Sequence, residues 1–261
     1  MSIILHNRST MGSQQLVNFP LSTGTYSQFL QQIMQWASEK KPSMICVANV
    51  HMFIEAQRDT GFLKLVQGAD MVTPDGKPLC WALKLLYGTR QQRVAGMDLL
   101  PDLLERMGND AMSVYFYGGS PQMLDKTKAY LAEKYPLVKL AGMYSPPFRP
   151  LTETENNQVI EHINNARPNV VFVILGCPKQ EKWMAAVKGR LNAVTIGVGG
   201  ALPVMTGMQK RAPLWMQQAG LEWFYRLMQE PRRLFKRYAQ TNSHFIWVIM
   251  KEFVRTKFFK N

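Results

Sequence analysis

The chain has 261 residues, 46% hydrophobic and 19% charged, with a formal charge of +13; this composition excludes a disordered chain and supports a sizeable core. Residues 205–261 hold eleven Lys and Arg against three Asp and Glu, while residues 1–204 hold twenty against fifteen, so the C-terminal fifth calls for an acidic partner: phospholipid, nucleic acid or a phosphorylated substrate. Three widely spaced cysteines, Cys46, Cys80 and Cys177, and four scattered histidines argue against a disulfide framework or a metal centre and fit a reducing, cytoplasmic compartment.

In chain order, residues 1–40 carry no functional signal. From residue 44 onward, short apolar runs alternate with helical patterns, which is the mark of βα units and a mainly parallel sheet. The spacing predicts strands at Met44–Val50, Met71–Thr73, Ser113–Tyr117, Val138–Met143, Val170–Leu175 and Ala193–Val198. Helices are expected near 52–59, 76–87, 98–108, 121–134, 152–166 and 179–190, the fifth opened by a capping box of Thr152 and Glu155. The expected fold is α/β, a Rossmann-like parallel sheet flanked by helices in two lobes. It divides into a body, 1–204, and a basic, aromatic-rich helical appendage, 205–261. No N-terminal pattern reads as a signal peptide. The longest apolar run in the tail, Phe245 to Met250, is six residues, far short of the roughly 18 needed to span a bilayer. Membrane contact is therefore expected to be peripheral.

The strand ends hold the chemistry. Asn49 closes a buried strand, and its amide either ties down the next loop or binds substrate hydroxyls. His51 is a candidate acid/base or a structural histidine. Asp75, in Thr73-Pro74-Asp75-Gly76, sits between strand and helix as either an N-cap or a general base. Three glycine turns, Gly118-Gly119, Gly176 with Lys179 just beyond it, and Gly199-Gly200, fall at the C-terminal ends of strands, where backbone N–H groups can approach phosphate. Neither a GxxxxGK[ST] loop nor a GxGxxG turn after a strand occurs, which lowers the case for nucleotide hydrolysis and dinucleotide redox chemistry. Tyr144–Leu151 holds three prolines and Arg149, a rigid connection or a phosphate contact. Residues 211–238, RAPLWMQQAGLEWFYRLMQEPRRLFKRY, interleave arginines with aromatics as a lipid-diphosphate site at a membrane face would require; a basic amphipathic helix packed on the body would look the same.

Taken in this order, Asn49, Thr73-Pro74-Asp75-Gly76, Tyr117-Gly118-Gly119, Gly176-Cys177-Pro178-Lys179-Gln180-Glu181, Gly197-Val198-Gly199-Gly200 and the 211–238 block resemble the WecG/TagA/CpsF glycosyltransferases of bacterial cell-surface polysaccharide synthesis. The likeness covers about residues 44 to 240. It implies an inverting, metal-independent and cofactor-free transfer from a UDP-sugar to a sugar on a polyprenyl diphosphate, by a protein attached peripherally to the inner face of the cell membrane. By the same resemblance Asp75 is the general base, Asn49 holds the sugar, and Gln180 contacts substrate from the opposite wall. Arg226, Arg233 and Arg237 close over the site and offset diphosphate charge. Gly118, Gly119, Gly176, Lys179, Gly199 and Gly200 are the expected nucleotide contacts. Self-association through the body is also implied, and nucleic acid is not an expected partner. Many members carry Thr two positions before the equivalent of Asn49, whereas here that position is Val47, so donor identity is not carried over. Two other classes remain: a nucleic-acid-binding module, which leaves Asp75 and the glycine turns idle, and a non-enzymatic scaffold, which predicts no stabilisation by UDP.

Overall fold

A computed structural model describes residues 11–258; the extreme ends of the two expected domains, 1–10 and 259–261, lie outside the described residues. Six parallel strands, β3 (Ser43–Ala48), β4 (Met71–Pro74), β5 (Ser113–Gly118), β6 (Lys139–Tyr144), β7 (Val170–Ile174) and β8 (Val194–Gly197), form one sheet in the order β4-β3-β8-β7-β5-β6. A small antiparallel hairpin, β1 (Gly12–Leu16) and β2 (Phe19–Thr23), precedes them.

The inner strands read as unbroken apolar runs, SMICVA and VVFVI, because a parallel sheet is buried on both faces. Successive side chains go to opposite cores. Met44, Cys46 and Ala48 face one, with Phe53 of α2 (Val50–Arg58), Phe62 of α3 (Thr60–Gln67), Leu79 of α4 (Lys77–Tyr87), Ile160 of α7 (Glu153–Ala166) and Met184 of α8 (Lys179–Val187). Ile45 and Val47 face the other, with Phe29 of α1 (Tyr26–Ser38), Leu99 of α5 (Gly96–Asn109), Leu124 of α6 (Pro121–Lys134) and Leu202 of α9 (Ala201–Met205). The chain closes with α10 (Leu214–Gln218), α11 (Glu222–Gln229) and the 28-residue α12 (Pro231–Phe258), whose Phe245 and Ile249 enter the first core.

All six expected strands are present, and the capping box at Thr152 and Glu155 is formed. The first strand ends at Ala48 and not at Val50, because the helix begins there under an Asn49 cap. The hairpin, α1 and α3 were not foreseen. α3 follows α2 after the single residue Asp59, which closes one helix and caps the next through a bond from Phe62 N, so the pair reads in sequence as one element and a loop. Between β3 and β8 the strand order departs from chain order, and the loops beyond their C-terminal ends part to open a crevice, the usual ligand position in an open α/β sheet.

Candidate active site

The crevice is a cleft of about 1910 Å³, and Asn49, Asp75, Gly119, Gly176, Lys179, Gln180, Gly199, Gly200, Arg226, Arg233 and Arg237 all line it. Of the residues expected at the site, only Gly118 is missing from its wall. Gly118 is needed for packing: at φ +106° its backbone passes so close to β7 that an added Cβ would fall 2.6 Å from the Ile174 carbonyl oxygen.

Asp75 lies on the floor. β4 is stitched on both sides at this point, by Asp75 N donating to Ala48 O at 2.7 Å and Val94 N donating to Pro74 O at 2.9 Å. The N-cap position of α4 is Gly76, with no side-chain cap, so the cap reading of Asp75 does not hold. It is the neighbouring α2 that has a side-chain cap, from Asn49, whose Oδ1 accepts from Met52 N at 3.1 Å. Asp75 keeps a partial opening to the cleft but is otherwise enclosed by protein. Burial raises its pKa to about 8; Arg93 and Arg226 work against the rise, while Glu222 and Asp98 add to it.

The opposite wall is built by the start of α8. Gln180 is buried and its amide is spent inside the protein: Oε1 accepts from Gly176 N at 3.2 Å and Nε2 donates to Glu181 Oε1 at 2.7 Å. Gln180 thus fixes the Gly176 turn, and it packs so tightly that a Cβ at Gly197 would sit 2.7 Å from Nε2. Fully buried Glu181 has its pKa pushed up by burial. Trp183 stacks on Tyr117 with ring centroids 4.1 Å apart and donates from Nε1 to Asn156 Oδ1 at 3.0 Å, stiffening this wall. Arg149 forms a bidentate pair with Glu155 at 2.6 and 2.7 Å, so the guanidinium, read as part of a rigid connection or as a phosphate contact, is engaged within the protein at the rim.

The roof is α11 and the start of α12. The Arg226 guanidinium rests on the β8 turn, where a Cβ at Gly200 would meet Nη2 at 2.9 Å. Arg233 pairs with Glu230, and Arg237 lies 5.3 Å from the Tyr238 ring centre with its Nε buried and unpartnered among the described residues. His51 lies beneath; burial, then Arg237, holds its pKa low, favouring neutral imidazole.

Arg93 and Glu222 were missed in the sequence. Arg93 donates to Asp98 at 2.8 Å and pairs with Glu222 of α11, while Arg211 pairs with the other oxygen of Asp98. These four residues form a charged clasp between body and appendage beside Asp75. The local signal was slight: Glu222 is one of three glutamates among the arginines and aromatics of the tail. No group of three or more His, Cys, Asp or Glu placed to hold a metal ion occurs among the described residues.

The sequence profile of the glycosyl transferase WecG/TagA/CpsF family matches residues 14–258. An N-acetylglucosaminyldiphosphoundecaprenol N-acetyl-beta-D-mannosaminyltransferase of Bacillus subtilis (strain 168) is 28% identical over 244 residues, 93% of each chain. A protein of the same name from Bacillus spizizenii (strain ATCC 23059 / NRRL B-14472 / W23) is 31% identical over 199 residues, 76% of each chain.

Proposed function

The chain belongs to the glycosyl transferase WecG/TagA/CpsF family, and from that premise we propose that it moves a sugar, with inversion, from a UDP-sugar to a sugar carried on polyprenyl diphosphate. The observation that carries this reading is the placement of a carboxylate, Asp75, in the cleft that three arginines of the appendage also line, Arg226 close enough to act on its charge. A carboxylate with a pKa near 8 is a stronger base than a solvated one and is matched to proton transfer near neutral pH. Asp75 takes the proton of the acceptor hydroxyl as its oxygen attacks the anomeric carbon. The bond from that carbon to the diphosphate oxygen breaks, and UDP departs with the electron pair. Arg226, Arg233 and Arg237 face the charge that develops on the leaving group and on the lipid diphosphate. Backbone N–H groups of the Gly119, Gly176 and Gly199-Gly200 turns, together with Lys179, are the remaining donors for nucleotide phosphate. Asn49 Nδ2, left over from the cap, is available to a sugar hydroxyl.

No helix among the described residues is long and apolar enough to cross a membrane. The appendage exposes Leu214, Trp215, Phe224, Phe235 and Trp247 among the basic residues Arg232, Lys236 and Lys251, a combination suited to lying on an anionic bilayer. The catalytic reading is tested by incubating the protein with N-acetylglucosaminyl-diphosphoprenol and a panel of UDP-sugars, UDP-N-acetylmannosamine first, because that sugar is in the relatives' names. Formation of a β-linked disaccharide on the lipid, with release of UDP, is expected from one donor of the panel. UDP release without any acceptor product, or no release from any donor, overturns the assignment.

A further inference from the structure

Beyond the arginines the cleft continues as a groove between α4 and α12, two helices that pack against each other. One ridge of α12 follows the i, i+4 spacing that keeps side chains in line: Arg233 and Arg237 come first, then Thr241, Phe245 and Ile249, and all five line the cleft. Phe245 is anchored edge-on to Phe53 at 5.3 Å. The neighbouring ridge places Ile246 and Met250 at the groove, 62% and 50% exposed, and α4 answers with Trp81 and Leu85, 53% and 50% exposed. Leaving four large apolar side chains in water along one furrow is unfavourable for a surface without a task. From Arg237 to Met250 the furrow runs about 20 Å at helical rise.

We propose that this groove seats the first isoprene units of the acceptor's lipid, so that the protein reads the chain as well as the sugar and the diphosphate. The inference rests on the acceptor assignment above. What selects a lipid over another occupant is the order of chemistry along the one ridge. Two guanidiniums stand at one end of the ridge, in the cleft that also holds Asp75, and apolar residues extend away from them, matching an amphiphile with an anionic head and a hydrocarbon tail. A packed helix from another protein would gain nothing from two arginines at one end of an otherwise apolar seat. The groove and the site also form one continuous cavity, so a diphosphate held at Arg233 and Arg237 delivers its ester directly to the furrow.

The test uses soluble acceptors without vesicles or micelles, so that partition into a bilayer contributes nothing. N-acetylglucosaminyl diphosphate esters of methanol, geraniol and farnesol are compared at saturating donor. The expected result is a kcat/KM that climbs about tenfold or more from methyl to farnesyl, mainly through KM. Leu85→Ser and Met250→Ser should each shrink that farnesyl-to-methyl ratio towards one. In parallel, calorimetry measures binding of farnesyl diphosphate against inorganic diphosphate, with tighter binding of the prenyl compound expected. Equal kcat/KM across the three esters overturns the groove and leaves the transferase reading standing. Chain-dependent binding with no turnover on any ester retains the groove and removes the acceptor role. Equal binding of the two diphosphates rejects the groove even if turnover is absent.

Discussion

The floor and the roof of the cleft are held by different forces. The floor belongs to a sheet whose inner strands are almost wholly buried, and Asp75 is fixed by backbone bonds from its own N–H and through Pro74. The segment that carries the roof, α10 to α12, is attached by the Arg93–Glu222 and Arg211–Asp98 pairs and by a few apolar anchors, Leu234, Phe245 and Ile249 among them. Burying an anchor of that size contributes roughly 1.5–3 kcal/mol, and α11 has no buried residue at all. The proposed base therefore sits on a buried strand, whereas the arginines proposed to face the leaving group ride on elements held by fewer buried side chains. Elements that move in function tend to come from the less firmly held parts of a fold.

The strongest way to break this comparison is at the floor. Asp75→Asn should lower turnover by about 10²–10⁴-fold by removing the base while making the protein more stable. The sign follows from burial: Asp75 has a pKa of about 8 in the folded protein, above its ordinary value of 3.8. Its ionisation thus opposes folding increasingly as pH rises from about 4 to 8, and no further above that. Thermal unfolding at pH 5 and pH 8 should show the variant gaining at the higher pH, by about 2 kcal/mol once solvent in the open cleft screens the charge. A variant that is less stable at both pH values, or near wild type in turnover, removes Asp75 from the role.

The next effect belongs to the roof. Arg226→Ala is expected to cost about a hundredfold in kcat with little change in melting temperature, since Arg226 rests on the Gly200 backbone and not in a core; a loss confined to melting temperature would make it a structural residue. Smaller still is the clasp. Glu222→Gln keeps the shape but removes the charge paired with Arg93, and it should lower kcat/KM about tenfold while speeding protease cleavage after residue 205. Unchanged cleavage would mean the apolar anchors alone hold the roof. The least effect on chemistry is expected from Gly118→Ala. A Cβ against the Ile174 carbonyl at φ +106° should destabilise the fold by about 2 kcal/mol and leave the affinity for UDP intact, as measured on the folded fraction. Weakened UDP binding would return Gly118 to the nucleotide contacts.

The same division explains what could be read from the residues in advance. The sheet was legible because its strands are apolar runs punctuated by glycine, and the cleft followed because such sheets place ligands at strand ends. Whether Asn49 or Asp75 capped a helix was not legible, since both side chains can accept from a helix N-terminus and only the backbone geometry at Gly76 decides. The clasp was hidden for a different reason. Arg93 and Glu222 are 129 residues apart, and nothing local in either segment announces a long-range ion pair. Gln180 was found, but its amide is turned inward to Gly176 and Glu181, a pairing that adjacency in sequence does not reveal.

The hairpin β1–β2 has no part in the cleft, yet it bears on the strand that ends in Asp75. β4 is an outermost strand of the sheet, and an open row of backbone donors and acceptors there invites another chain to add itself. β2 packs against that border, and Ser22 Oγ accepts from Val72 N at 3.0 Å, so a side-chain hydroxyl stands where a foreign strand would otherwise bond. The hairpin thus covers part of the border of the strand that leads to Asp75, and occupies a backbone donor that an added strand would need.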